Sequence, residues 1–213
     1  MKNFYKKTLY FILLTSNLCL ANFQDKLLLN KLFLKAAATN QIDILKYTLE
    51  AGADINATDQ YGYSALFIAT YGRHENCLEF LLAKGADAKK RGPFEETLLI
   101  VAASKKDKIF DLIFSKKNKK SINAKNKKGL TALMIAARYN APEVVKILLA
   151  TGAKTNCSNS AGETALMIAE EEDFYECAHL IRQHIAGKRE RSKSFSKSLS
   201  QGRLALASPI FLL

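Results

Sequence analysis

Tryptophan is absent from this chain, and proline is rare, with three in 213 residues. Apolar and polar residues do not alternate at period two, so the sequence predicts little strand and much helix. No glycine-rich phosphate loop, Gly-x-Ser-x-Gly elbow or His-Glu-x-x-His motif occurs. The three histidines, His74, His179 and His184, are scattered, and the four cysteines show neither Cys-x-x-Cys nor Cys/His ligand spacing. No metal site or cofactor is therefore expected. The pair Glu95-Glu96 and the run Glu170 to Asp173 read as solvated surface, because paired catalytic carboxylates must oppose each other across a cleft. Without a nucleophile–base constellation, neither an enzyme nor a small-molecule substrate is expected.

What the chain does have is a recurring segment. Gly62-Tyr63-Ser64-Ala65-Leu66-Phe67-Ile68-Ala69 returns as Gly129-Leu130-Thr131-Ala132-Leu133-Met134-Ile135-Ala136 and as Gly162-Glu163-Thr164-Ala165-Leu166-Met167-Ile168-Ala169. The last two copies start 33 residues apart and the first two 67 apart, two periods plus one residue. Glu95-Glu96-Thr97-Leu98-Leu99-Ile100-Val101-Ala102 is a degraded copy between them. A second block, Glu50-Ala51-Gly52-Ala53-Asp54-Ile55-Asn56-Ala57, returns around Gly85 and Gly152. A fixed period of this size means one supersecondary unit stacked on itself. In each unit the glycine can end a helix in the left-handed conformation. The Asp and Asn after it can bond their own backbone and close a turn. Ser64, Thr97, Thr131 and Thr164 sit where a hydroxyl can cap the next helix. Pro142 suits the first turn of a helix, where a missing N–H costs nothing.

These two blocks resemble the ankyrin repeat, with its Thr-Pro-Leu-His-x-Ala run and Gly-Ala-Asp-x-Asn ending in a unit of about 33 residues. The resemblance implies an all-α solenoid of about five helix-turn-helix units with short hairpin turns. The units fall near residues 24–57, 58–90, 91–124, 125–157 and 158–184 of a repeat domain over 22–184. The family's Pro is replaced by Ala65, Leu98, Ala132 or Ala165, and its His by Phe67, Ile100, Met134 or Met167. Apolar contact must then do the work of the missing imidazole. The third unit lacks the Gly-Ala-Asp ending, and a distorted or longer loop is expected there. His74 stands where the family often has a histidine beside the inter-helix turn, which implies a structural role.

The N-terminus has a different character. Lys2, Lys6 and Lys7 precede an apolar run from Leu9 to Leu20 that ends Cys19-Leu20-Ala21. This layout predicts a signal peptide over 1–21 and an exported product, periplasmic or secreted. An uncleaved membrane anchor is the alternative, although the run is short for a spanning helix. The Lys-, Asn- and Ile-rich composition points toward an AT-rich bacterial genome. Cys77 and Cys177 share a position on the second helix of their units and read as small core hydrophobes. Three units apart, they are too distant for a disulfide. Cys157 follows a hairpin and is expected to be partly exposed.

The net charge of +12 is uneven. The segment Lys105–Lys128 holds ten lysines against Asp107 and Asp111. The segment 185–213 holds six basic residues against Glu190. Lys116, Lys117, Lys119 and Lys120 are candidates for binding a polyanion or an anionic membrane surface. A solvated loop explains the same residues. The Ser-rich basic segment after His184 has little to bury and is expected to be disordered. The apolar end, Leu204–Leu213, is too short to span a bilayer.

Members of the family bind proteins on the concave face, through hairpin tips and first helices. Carried over unit by unit, this resemblance implies partner-binding roles for Asp59, Gln60, Tyr61, Tyr63 and Tyr71, for Arg91 and Phe94, and for Asn126, Lys128, Arg138 and Asn159. Tyrosine and arginine commonly anchor interfaces, yet Tyr61 and Tyr63 can equally pack on neighbouring hairpins. The implied function is a non-catalytic, monomeric adaptor or effector that binds another protein.

Overall fold

Three threonines act as the caps that their position predicts. In the computed structural model, which describes residues 23–115 and 121–206, the Oγ1 atoms of Thr97, Thr131 and Thr164 accept the backbone N–H three residues on, each at 3.3 Å. Ser64 holds the same extended cap conformation, but its side chain makes no cap bond. The helices that follow are α3 (Ala65–Tyr71), α5 (Leu98–Ala102), α7 (Ala132–Arg138) and α9 (Ala165–Glu171). Each is the first helix of a unit. Their partners are α4 (Glu75–Ala83), α6 (Lys108–Ser115), α8 (Pro142–Ala150) and α10 (Tyr175–Leu206). An earlier pair, α1 (Phe23–Ala38) and α2 (Ile42–Glu50), makes the first unit. Among the described residues, extended pairing is limited to the isolated bridges Thr58–Ser64 and Ser158–Thr164. The expected all-α class holds.

The chain forms two compact parts that meet between Pro93 and Phe94. In the first part α1 packs on α2 and α3, and α4 on α3 and α2. In the second part α7 packs on α5, α8 and α9, and α10 on α8 and α9. First helices thus stack on first helices and second helices on second helices.

Burial follows the helical spacing. Phe33, Leu45, Leu66, Phe67, Leu78 and Leu81 fill the first part, and Leu98, Ile109, Phe110, Ile113, Leu133, Met134 and Leu148 the second. Three of the residues that replace the family's histidine are buried: Phe67, Ile100 and Met134. Burying an apolar side chain of this size contributes roughly 1.5–3 kcal/mol. A typical hydrogen bond contributes about 0.5–1.5 kcal/mol net, so the apolar replacements can more than offset the lost imidazole. Met167, in the last such unit, is exposed.

Backbone geometry accounts for the punctuation. Gly52, Gly85 and Gly152 end the second helices with φ of 104°, 86° and 102°. Asn40, Arg73, Asn140 and Asp173 occupy one position, the turn between the two helices of a unit, all with positive φ. Asn tolerates that conformation because its short side chain bonds locally, whereas Arg has no such relief. His74 follows Arg73, and its Nδ1 lies 2.9 Å from the Ala37 carbonyl, a structural contact to the preceding unit. Gly72 leaves room for that ring: a Cβ there would come within 2.6 Å of it.

The segment after His184, for which the composition predicts disorder, lies in α10 as far as Leu206. The physical reason is that the helix is already nucleated against α8 and α9, so the Lys, Arg, Leu and Ala of the segment can propagate it despite its serines and glycines. In the third unit the distorted or longer loop expected there falls on residues 116–120, outside the described residues. Ser121-Ile122-Asn123-Ala124 occupies the place of Asp54-Ile55-Asn56-Ala57, and Ile122 is buried. The lysines Lys116, Lys117, Lys119 and Lys120, the apolar start of the chain and residues 207–213 lie outside the described residues.

Candidate functional site

The exposed features of the first part converge on the hairpin before α3. Asp59 builds it: its Oδ1 accepts the N–H groups of Tyr61 and Tyr63, both at 2.9 Å. Its main-chain N–H also donates to the Tyr63 carbonyl at 3.0 Å. Asp59 is therefore occupied in shaping the turn. Gln60 and Tyr61 are left at the tip, and Tyr61 is 68% exposed. Tyr63 turns back over α3, its ring edge-on to Tyr71 at 5.7 Å and tilted to Phe67 at 6.4 Å. Tyr71, the last residue of α3, is 53% exposed. One hairpin and the helix it opens thus present tyrosine rings braced by Phe67 beneath. Arg91 is exposed in the loop that ends this part.

In the second part the hairpin tips are bonded to one another. The Phe94 carbonyl accepts the Lys127 N–H at 2.7 Å, and the Lys128 carbonyl accepts the Ser160 N–H at 3.0 Å. Asn126 and Asn159 repeat the role of Asp59, each accepting the N–H groups two and four residues on. The first of these hairpins replaces that device with a carboxylate: Glu96, only 3% exposed, accepts the Phe94 N–H at 2.8 Å. Phe94 itself is 58% exposed. Arg138 Nη2 lies 3.9 Å from Glu163 Oε2, and that same oxygen accepts from Asn159 Nδ2 at 2.6 Å.

The residues implied by the resemblance therefore separate into two groups. Asp59, Asn126 and Asn159 are turn-builders, and their carboxylate or amide oxygens are already engaged. Gln60, Tyr61, Tyr71, Arg91, Phe94, Lys128 and Arg138 are exposed, and Tyr63 is half-buried. Glu96, expected from sequence to be solvated surface, is instead buried in the turn; its position, just before the capping Thr97, is the clue that it belongs there.

Two of the described lysines in the Lys105–Lys128 segment are engaged. Lys106 pairs with Asp111, and Lys125 Nζ donates to the Ser158 carbonyl at 2.6 Å. Burial pushes the Cys77 thiol up from its ordinary pKa; burial, then the neighbouring Glu176 charge, does the same for Cys177. Each of these thiols reaches the turn asparagine of the preceding unit, Cys77 to Asn40 Oδ1 at 3.3 Å and Cys177 to Asn140 Oδ1 at 3.6 Å. Among the described residues no group of three or more His, Cys, Asp or Glu is arranged to hold a metal ion. Nor is any helix there long and apolar enough to cross a membrane.

Comparison with known proteins agrees with this architecture. Family models described as ankyrin repeats match residues 98–191, in three copies, and 33–82. An L-asparaginase of Dirofilaria immitis is 31% identical over 147 residues, which is 68% of this chain and 25% of that protein. A mitochondrial disaggregase of Bos taurus is 31% identical over 144 residues, 65% of this chain and 21% of that one. The ankyrin repeat, SAM and basic leucine zipper domain-containing protein 1 of Dasypus novemcinctus is 30% identical over 131 residues, 59% of this chain and 27% of that one. The chain thus spans about a quarter of the length of these relatives.

Proposed function

The chain belongs to the ankyrin-repeat proteins, and from that membership we propose that it is an exported, monomeric, non-catalytic adaptor or effector that binds another protein. Ankyrin repeats generally mediate protein–protein interaction, and the partner here seats on the hairpin and first-helix side of the repeats. The observation that carries this reading is the tyrosine group of the first part. Tyr61 and Tyr71 are exposed, and Tyr63 is braced between Tyr71 and Phe67. Rigid aromatic side chains of this kind supply large contact area at small entropic cost. Gln60 and Arg91 belong to the same part; Phe94, Lys128 and Arg138 supply further contacts in the second. The asparaginase and disaggregase matches cover only a fraction of those proteins, and nothing in this reading borrows their activity.

Affinity capture with the full chain tests the reading. The partner should be retained by the native chain and lost on the double change Tyr61→Ala and Tyr71→Ala, with the melting curve unchanged. Capture indifferent to both tyrosines would remove the assignment. Export is tested by fractionation with mass spectrometry of the N-terminus. The reading expects an exported chain that starts at Asn22; a cytosolic chain that retains residues 1–21 overturns it.

A further inference from the structure

We propose that the partner seated on the first part is an acidic segment that also bears apolar side chains, and that Lys31 and Lys35 select it. This inference rests on the interaction reading above and adds the partner's chemistry to it. The first helices of this part, α1 and α3, pack on each other. The carbonyls of Ala36 and Ala69 mark equivalent places, each accepting the N–H five residues on at 2.9 Å, from Gln41 and His74. Lys35 is therefore level with Ile68, and Lys31 with the cap Ser64. Leu28, Lys31 and Lys35 are spaced by three and four residues, so they form one stripe of α1. All three are exposed, while Leu29, Phe33, Ala36 and Ala37 are buried behind them. On α3 the half-buried Ile68 and the exposed Tyr71 hold the equivalent side. Packed helices lie about 8–10 Å apart, so one bound segment can reach both the lysines and the tyrosine group.

Charge divides by helix in this part. From Lys26 to Ala38 and from Ala65 to Tyr71 there is no Asp or Glu. The second helices, α2 and α4, carry Asp43, Glu50, Glu75 and Glu79 against Lys46. Asp54 and Asp59, in the adjoining loops, turn their carboxylates onto main-chain N–H groups. Asp54 Oδ1 accepts from Asn56 at 2.9 Å, and Asp59 Oδ1 from Tyr61 and Tyr63. A face with cations alone among apolar side chains complements carboxylates interleaved with apolar residues. Lys31 and Lys35 meet the carboxylates as point charges, and Leu28, Ile68, Tyr61 and Tyr71 cover the apolar side chains. A nucleic acid would use the lysines and stack on the tyrosines. Two cations neutralise few phosphates, however, and Leu28 and Ile68 would gain nothing from that ligand.

Selection of random short peptides displayed on phage against the full chain tests the proposal. The selected sequences should be rich in Asp or Glu together with Leu, Phe or Tyr. A labelled synthetic copy should bind about tenfold more weakly to the double variant Lys31→Glu and Lys35→Glu, with the thermal melt unchanged. The same charge change on the second-helix side, Lys46→Glu with Lys84→Glu, should leave its affinity within about twofold, because solvent screens charges at that distance. Tyr61→Ala with Tyr71→Ala should lower it about tenfold. Neutral or basic selected sequences, or binding indifferent to Lys31 and Lys35, overturn the proposal. If such sequences still need Tyr61 and Tyr71, the interaction reading stands and only the partner's chemistry is wrong. Sequences that need neither the lysines nor the tyrosines remove both. An empty selection, or tighter binding of single-stranded oligothymidine than of the selected peptide, also overturns the proposal.

Discussion

The side-chain oxygen of Asn56 accepts the main-chain N–H of Asp87 at 2.9 Å, one unit further along the chain. The same reach recurs elsewhere. Asn30 Oδ1 accepts from Asp54 N–H at 2.8 Å, and Asn123 Oδ1 from Lys154 N–H at 2.7 Å. The Asn56 and Asn123 bonds tie the loop that ends one second helix to the unit before it, whereas the Asn30 bond ties that loop to the first helix of its own unit. Asn56→Ala and Asn123→Ala should each cost about 1 kcal/mol, the usual net worth of one such hydrogen bond. That is a fall in Tm of about 2–4 °C for a domain of this size. Asn→Asp keeps an acceptor at the same place and should recover most of the loss in a thermal melt.

The third unit holds a residue at odds with its backbone. Gly62, Gly129 and Gly162 turn their hairpins at φ of 90°, 76° and 83°, and Glu95 occupies their position at φ 60°. A residue with a Cβ in that region is disfavoured by about 1–2 kcal/mol. Glu95→Gly should therefore stabilise the chain by about 1 kcal/mol once glycine's greater unfolded-state freedom is deducted. The reverse change fails for two reasons. A Cβ at Gly129 would lie 2.9 Å from the Asn159 backbone, as well as being strained. Gly129→Ala should cost about 2–4 kcal/mol, the range of overpacking plus strain. Urea titration of both variants checks the pair, and a destabilising Glu95→Gly would refute the strain argument.

These two features mark what the sequence could and could not reveal. The recurring Gly-x-Thr-Ala-Leu run shows the period, the capping threonines and the helix starts directly, because those rest on contacts within a few residues. Asn123 was missed because the unit around it had lost its glycine, and the bond it makes is to Lys154, 31 residues on. Glu96 reads as solvated because it stands in a pair of adjacent carboxylates, whereas its burial depends on how neighbouring hairpins stack. The tyrosines were legible as candidates, but the edge contact that braces Tyr63 on Tyr71 is a packing result. The helix through 185–206 was hidden by composition, since Ser and Lys say little about whether a preceding packed turn will propagate.

The hairpin acceptors should behave as structural residues, although the family pattern places them at the contact surface. Asp59, Asn126 and Asn159 each hold two main-chain N–H groups. Alanine at any one leaves both donors without that acceptor, at a cost of about 1–2 kcal/mol where water only partly replaces it. Asn126→Asp should be nearly neutral, since Asp59 already does the same work. Partner affinity, measured well below the melting transition, should change little in Asn126→Ala. A large loss of affinity with an unchanged melt would instead put Asn126 in the contact itself.

The cysteines offer a pH test. Cys77 and Cys177 are fully buried and hold raised pKa values, while Cys157 is partly exposed. Native protein at mildly alkaline pH should alkylate at Cys157 first, with Cys77 and Cys177 labelled only on unfolding. The stability effect has a definite sign. The unfolded thiols ionise at their ordinary pKa while the folded ones stay protonated, so above that point the unfolded state binds fewer protons. The stability these thiols supply is therefore complete below the ordinary thiol pKa and is lost as pH rises through it toward the raised folded value. Replacing both with Val removes a titrating group from the core and keeps a residue that Val144 already places at the same position. The double variant should lose less stability than the native chain as pH rises from about 8 to 10, the range spanning the unfolded thiol pKa. Identical pH profiles in urea titration would show that the buried thiols do not contribute to the alkaline loss.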